Sequence, residues 1–189
     1  MRIHILGASG SGTTTLARAL SEKLKCPHFD SDNYFWHKTE PPFTQKREVF
    51  ERQSILKIDL ENSSDWILSG SLCGWGDVFV PYFDLVVYLY LPQDVRMDRL
   101  KKREQERFGK AIEESGPMYQ QHLDFMEWAN SYDTGSIDMR SRALHELWLS
   151  QLKCSVLILE GDISIEERVK KVFERIYDVQ ISMDGIKTS

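Results

Sequence analysis

No run of apolar residues in this chain approaches the roughly 18 needed to cross a bilayer, which argues against a membrane-spanning helix. The first residues read as a core strand, with no signal-peptide pattern. Cysteine is scarce. Cys26, Cys73 and Cys154 are odd in number and far apart, and none stands at a paired Cys/His ligand spacing. Reduced thiols in the cytoplasm are the expectation. Positive charge is not in excess either. With 24 Lys and Arg against 29 Asp and Glu the formal charge is −5, and the pI of about 5.6 argues against general nucleic-acid binding. There is no internal repeat and no low-complexity segment. What remains is ordinary globular material, 41% hydrophobic and 28% charged, and 189 residues suffice for one well-buried domain spanning the chain, as monomer or homodimer.

The most telling absence is a single lysine. Gly7-Ala8-Ser9-Gly10-Ser11-Gly12-Thr13-Thr14 fits the phosphate-loop pattern G-x-x-x-x-G-K-[ST] everywhere except at Thr13, which stands where the lysine belongs. The context fits. Arg2 to Leu6 reads as a buried strand, and Leu16, Leu20 and Leu24 recur along one face of a helix that follows. Glycines let backbone wrap a phosphate, successive N–H groups form an anion nest, and the helix N-terminus adds donors and a positive dipole end. Gly7 through Thr15 are therefore the expected nucleotide-binding residues, with the Thr14 hydroxyl a magnesium ligand. Thr13 admits two readings: a degraded site, or one whose cation comes from elsewhere. Losing one preorganised donor costs on the order of 3 kcal/mol, which another cation can offset.

Apolar runs then alternate with helical patterns. Strands are expected at 27–30, 66–70, 85–91 and 156–159, and helices at about 45–60, from Pro92 onward, at 118–130, 140–153 and 165–176. The last dozen residues carry no clear pattern and are expected to fray. The alternation implies a parallel α/β sheet with helices on both faces. Ligands in such sheets bind beyond the carboxyl ends of the strands. The segments 7–14, 30–32, 69–71, the stretch after Leu91 and 161–162 should therefore meet at one cleft.

Asp30 and Asp32 end the second strand. They suit magnesium binding or acceptance of a proton from a substrate hydroxyl, and equally suit capping of the next turn. Tyr34-Phe35-Trp36 divides evenly between core and pocket wall. Arg96, Arg99, Arg103 and Arg107 form one helical stripe, mildly self-repelling unless polyphosphate binds it. Arg103 and Arg107, next to the polar segment 108–116, are the functional candidates of the stripe and could take over the missing lysine's charge. Arg140 and Arg142 form a second basic site for substrate or phosphate, whereas His122 and His145 read as ordinary helix residues.

GASGSGTTTLARAL, FDSD, ILSGS, DLVVYLYLPQDVRMDRLKKREQERFG and VLILEGD together resemble the P-loop nucleoside and nucleotide kinases of the adenylate-kinase and shikimate-kinase type. The resemblance covers most of the chain. It implies a five-stranded parallel sheet of order 2-3-1-4-5, a substrate-binding helical region at about 33–63 and an arginine-bearing lid at about 103–138. It implies ATP and Mg²⁺ as cofactors, with Thr14 and Asp30 toward the metal, and phosphoryl transfer to a small-molecule acceptor. Asp30, Asp32, Arg103 and Arg107 would then be the catalytic residues, and backbone near 161–163 would contact the base. The alternative reading is a non-catalytic nucleotide-binding protein. Intact Asp30, Asp32 and the arginine stripe favour the kinase; Thr13 favours the alternative.

Overall fold

Five strands set the frame of the computed structural model, which describes residues 1–187. They are β1 (Arg2–Gly7), β2 (His28–Asp30), β3 (Trp66–Ser69), β4 (Leu85–Tyr90) and β5 (Ser155–Glu160). All pair in parallel, in the order β2-β3-β1-β4-β5. The central position of β1 follows from its sequence. Ile3 and Ile5 face one side, His4 and Leu6 the other, and all are fully buried, as a strand covered on both faces requires.

Among the described residues seven α-helices connect and flank the sheet: α1 (Thr13–Leu24), α2 (Asp32–Phe35), α3 (Val49–Glu61), α4 (Gln93–Phe108), α5 (Tyr119–Asn130), α6 (Arg142–Ser150) and α7 (Ile165–Lys187). On one face Ile3, Ile5, Val87 and Leu89 pack against Leu16 and Leu20 of α1 and against Val172 and Ile176 of α7. The other face is richer in aromatics. There Leu6, Leu68 and Tyr88 meet Leu56 of α3, Trp148 of α6, and Trp75, Phe79 and Phe83 from the loop after β3. His4 sits in this second core, its ring stacked 4.9 Å from that of Phe83, with Nδ1 3.1 Å from the Leu68 carbonyl. Burial pushes its imidazole down to about 4, so it is neutral in the folded protein.

Several element boundaries differ from expectation. The helix expected from 45 begins at Val49, because Lys46 pairs in an antiparallel bridge with Trp36. Pro92 is the residue preceding α4 and not its first turn. The helix expected from 140 starts at Arg142, capped by the Ser141 hydroxyl, which accepts from the Leu144 N–H at 3.1 Å. Where the sequence shows no clear pattern, α7 runs on past Ile176 to Lys187; residues 188–189 lie outside the described residues.

Candidate active site

β1 ends at Gly7, and its chain turns through Ala8–Gly12 before α1 begins at Thr13. Gly12 holds φ +94°, a left-handed conformation that a side chain resists, and a Cβ there would stand 3.1 Å from Nη1 of Arg168. The turn closes on itself through the Ser11 N–H, which donates to the Ala8 carbonyl at 3.1 Å. Arg168, nearly buried at the start of α7, donates to the Ser11 carbonyl at 2.8 Å and to the Gly161 carbonyl at 3.3 Å. It braces the loop from outside and ties it to the end of β5. Arg99 of α4 pairs with Asp162 in the same place. Arg168 gave no signal in the sequence, since a basic residue in an amphipathic helix is unremarkable there.

Within the cleft Thr14 and Asp30 are joined directly. The Thr14 hydroxyl donates to Oδ2 of Asp30 at 2.9 Å. Asp30 Oδ1 accepts the Asp32 N–H at 3.1 Å, so Asp30 also caps the first turn of α2. A hydroxyl beside a carboxylate suits Mg²⁺. That ion takes one or two protein oxygens and completes its shell with phosphate and water. Ser9, Gly10 and Thr13 lie partly buried along the loop, Ala8 is buried, and Thr15 is exposed on the first turn of α1. The carboxyl ends of the strands come together as the ligand rule expects: the Ser31 N–H donates to the Ser69 carbonyl at 2.8 Å, and the Gly161 N–H to the Tyr90 carbonyl at 3.0 Å.

Asp32 is the second carboxylate of the cleft. Burial and the neighbouring Asp30 push its pKa above the ordinary aspartate value, while Arg140, Arg103 and Arg107 pull the other way. These four side chains thus share one electrostatic environment. The arginine stripe on α4 does not behave as a unit. Arg96 is fully buried, donating to the Leu91 and Ala129 carbonyls and pairing with Asp133. Arg99 is paired with Asp162, and Arg103 lies 3.2 Å from Glu104. Arg107 lies over the Phe43 ring, 5.9 Å from its centroid. Each arginine has a partner of its own, which relieves the repulsion that the spacing predicts.

The aromatic triplet also divides. Tyr34 is core, its hydroxyl donating to Asp59 of α3 at 2.7 Å. Phe35 and Trp36 are partly buried, with the Arg52 guanidinium 3.8 Å over the Phe35 ring. Across the mouth, Gln121 of α5 donates to the Pro42 carbonyl at 2.9 Å, so the 103–138 segment touches the 33–63 segment.

Arg140, read with Arg142 as a second basic site, reaches the phosphate loop. Its Nη2 donates to the Ser9 hydroxyl at 3.0 Å, and its guanidinium lies 4.4 Å from the centroid of Trp128. His145, read as an ordinary helix residue, is instead fully buried in a relay of hydrogen bonds. Nε2 lies 3.0 Å from the Ser71 hydroxyl, Nδ1 lies 2.8 Å from the Tyr132 hydroxyl, and Tyr132 reaches Tyr88 at 2.8 Å. Burial, aided by Arg140 and His4, pushes His145 down to about 3.

Comparison with known proteins agrees with this architecture. The family model described as AAA domain matches residues 3–120. The chain is 51% identical over 172 residues to an uncharacterized protein of Bacillus subtilis, YqaC, covering 91% of this chain and 95% of that one. It is 34% identical over 128 residues to a cytidylate kinase of Methanobrevibacter smithii, covering 60% of this chain and 70% of the relative. A shikimate kinase from Acinetobacter baumannii, solved with shikimate, superposes with a TM-score of 0.53 at 17% identity, covering 94% of this chain and 93% of its own, a likeness of fold.

Proposed function

The chain belongs to the AAA-domain family and, with its cytidylate-kinase relatives, to the P-loop nucleoside and nucleotide kinases; on that footing we propose that it transfers the terminal phosphoryl group of ATP to a small-molecule acceptor. The observation that carries this reading is the Thr14–Asp30 hydrogen bond, which joins the phosphate loop to a carboxylate pair at the end of β2. A loop kept only as a turn would have no need of it.

In this reading the N–H groups of Ala8–Thr15 cradle the phosphates, and the dipole of α1 offsets part of their charge. Thr14 and Asp30 would hold Mg²⁺, which when bound neutralises charge on the outer phosphates. The acceptor lies beside Asp32, between the 33–63 and 103–138 segments. Its oxygen attacks the terminal phosphorus, the bond to the ADP oxygen breaks, and ADP leaves with that electron pair. If the acceptor is a hydroxyl, its proton passes to Asp32; an acceptor phosphate needs no base, and Asp32 then only orients it. Arg103 and Arg107 act on the transferred group from the lid side. A direct test is a screen for ATP consumption with nucleosides, nucleoside monophosphates and small hydroxy acids as acceptors. Calorimetry that detects no ATP binding up to millimolar concentration with magnesium present would overturn the reading.

The second reading, a nucleotide-binding protein without turnover, is favoured by Thr13. It expects ATP binding without consumption of ATP by any acceptor in that screen. Adenylate as the acceptor belongs to the proposal only as one candidate among phosphate and hydroxyl acceptors.

A further inference from the structure

The phosphate loop carries no lysine of its own, yet it is surrounded by arginines whose positions differ in kind. Arg168 spends both terminal nitrogens on carbonyls, those of Ser11 and Gly161. Loop carbonyls face away from an anion nest whose N–H groups point inward, so Arg168 stands behind the loop. Arg96 and Arg99 are neutralised by Asp133 and Asp162. Arg103 is held by Glu104 at 3.2 Å. Arg107 rests over Phe43 and Phe108 at the mouth of the cleft.

Arg140 differs from all of these. It touches the loop itself, through the Ser9 hydroxyl at 3.0 Å. Among the described residues it makes no ion pair within 4.0 Å. Its charge rests on the face of Trp128, a surface that attracts a guanidinium without neutralising it. Asp32 is the carboxylate that acts on it most strongly. Arg140 therefore touches the loop while its charge is felt by Asp32. Only one of its five N–H donors is taken by Ser9, and the remaining fork matches two oxygens of a phosphate.

The segment around it is fixed. The Ser141 hydroxyl donates to the Ser136 carbonyl at 2.7 Å and caps α6. One helical turn on, His145 is held by Ser71 and Tyr132. A cation anchored this way loses little rotamer freedom on binding.

We propose that Arg140 supplies the cation that the loop lacks at Thr13, binding the outermost phosphate of a nucleoside triphosphate. The assignment rests on the kinase reading of the loop and deepens it. It moves to Arg140 a role that the sequence pattern alone suggests for Arg103 and Arg107, and it leaves those two to act on the transferred group.

The test is calorimetric binding of ATP, ADP and AMP to the full chain and to variants. Arg140→Gln keeps a donor for Ser9 without the charge. It should weaken ATP about tenfold or more, the size of one charge-assisted hydrogen bond, while ADP changes by less than about threefold. Thr13→Lys placed in that background should recover most of the lost ATP affinity, because both side chains serve one charge. Thermal unfolding of each variant identifies damage to the fold, and Arg140→Lys, which keeps charge, should retain most of the preference for ATP over ADP. Equal ATP affinity in wild type and Arg140→Gln would overturn the assignment and leave the kinase reading standing, as would equal losses for ATP and ADP or no recovery with Thr13→Lys. Absence of ATP binding by the wild type would instead overturn the kinase reading, and this assignment with it.

Discussion

In the proposed reading, Asp32 is the side chain on which the choice of acceptor turns. If it takes a hydroxyl proton, Asp32→Asn should lower turnover by about 100-fold or more, while ATP affinity stays within about twofold. The pH profile provides a second reading. Its carboxyl titrates above the ordinary aspartate value because burial and Asp30 disfavour the charge. A proton acceptor must be ionised to act, so in this reading kcat/KM should fall as pH drops through that raised pKa, above the ordinary aspartate value. Asp32→Asn should abolish that acid limb together with the rate. An unaltered limb would assign it to another group, and unaltered turnover would leave Asp32 without a catalytic role. Gly12→Val addresses the loop. The left-handed backbone and the nearby Arg168 both oppose a side chain, so ATP binding measured by calorimetry should disappear.

Elements show how much of this was legible. The strand, glycine turn and helix of residues 2–24 could be read because periodicity and turn chemistry agree there, and β4 because an apolar run on both faces fits only a central strand. The boundary of α3 could not, since the Trp36–Lys46 bridge is a tertiary pairing invisible in local spacing. The position of Arg140 at Ser9 spans 131 residues of sequence, and no local pattern encodes it. His145 looked ordinary for the same reason: its partners Ser71 and Tyr132 come from other elements. The helix caps offer a test at this scale. Ser141 caps α6, and Ser164 accepts the Glu167 N–H at 3.1 Å near the start of α7. Replacing either by Ala should cost about 1 kcal/mol in chemical denaturation. Ser141→Ala should also weaken ATP binding, because it loosens the segment that carries Arg140. Ser164 starts the helix that carries Arg168 behind the loop, so Ser164→Ala should weaken ATP and ADP alike, whereas Ser141→Ala should weaken ATP more than ADP. Unchanged ATP binding in Ser141→Ala would show that α6 does not position the cation.

At the scale of the whole molecule, two buried neutral imidazoles make folding depend on pH. His4 and His145 are fully buried, with folded pKa values of about 4 and about 3 against an ordinary 6.5. Because the folded values are depressed, the unfolded chain binds protons more readily. The stabilising effect of neutral histidine is complete above pH 6.5 and is lost as pH falls toward 4 and 3. The unfolding free energy should decline by up to about 1.4 kcal/mol per pH unit for each histidine, or about 3 kcal/mol for His4 between pH 6.5 and 4. Asp32 works in the opposite direction, since its raised pKa means that the folded protein takes up a proton first. The net slope between pH 6.5 and 4.5 should still have the sign of the two histidines. His4→Phe isolates one of them. It keeps an aromatic ring against Phe83 and removes both Nε2, a buried nitrogen with no hydrogen-bond partner, and the Nδ1 bond to the Leu68 carbonyl, so stability at pH 7.5 should fall by about 1 kcal/mol while the slope is roughly halved. Urea denaturation of wild type and His4→Phe at pH 7.5, 6.5, 5.5 and 4.5 reads this directly. A flat wild-type curve, or a variant with the full slope, would mean that protonation of His4 is not opposed by the core.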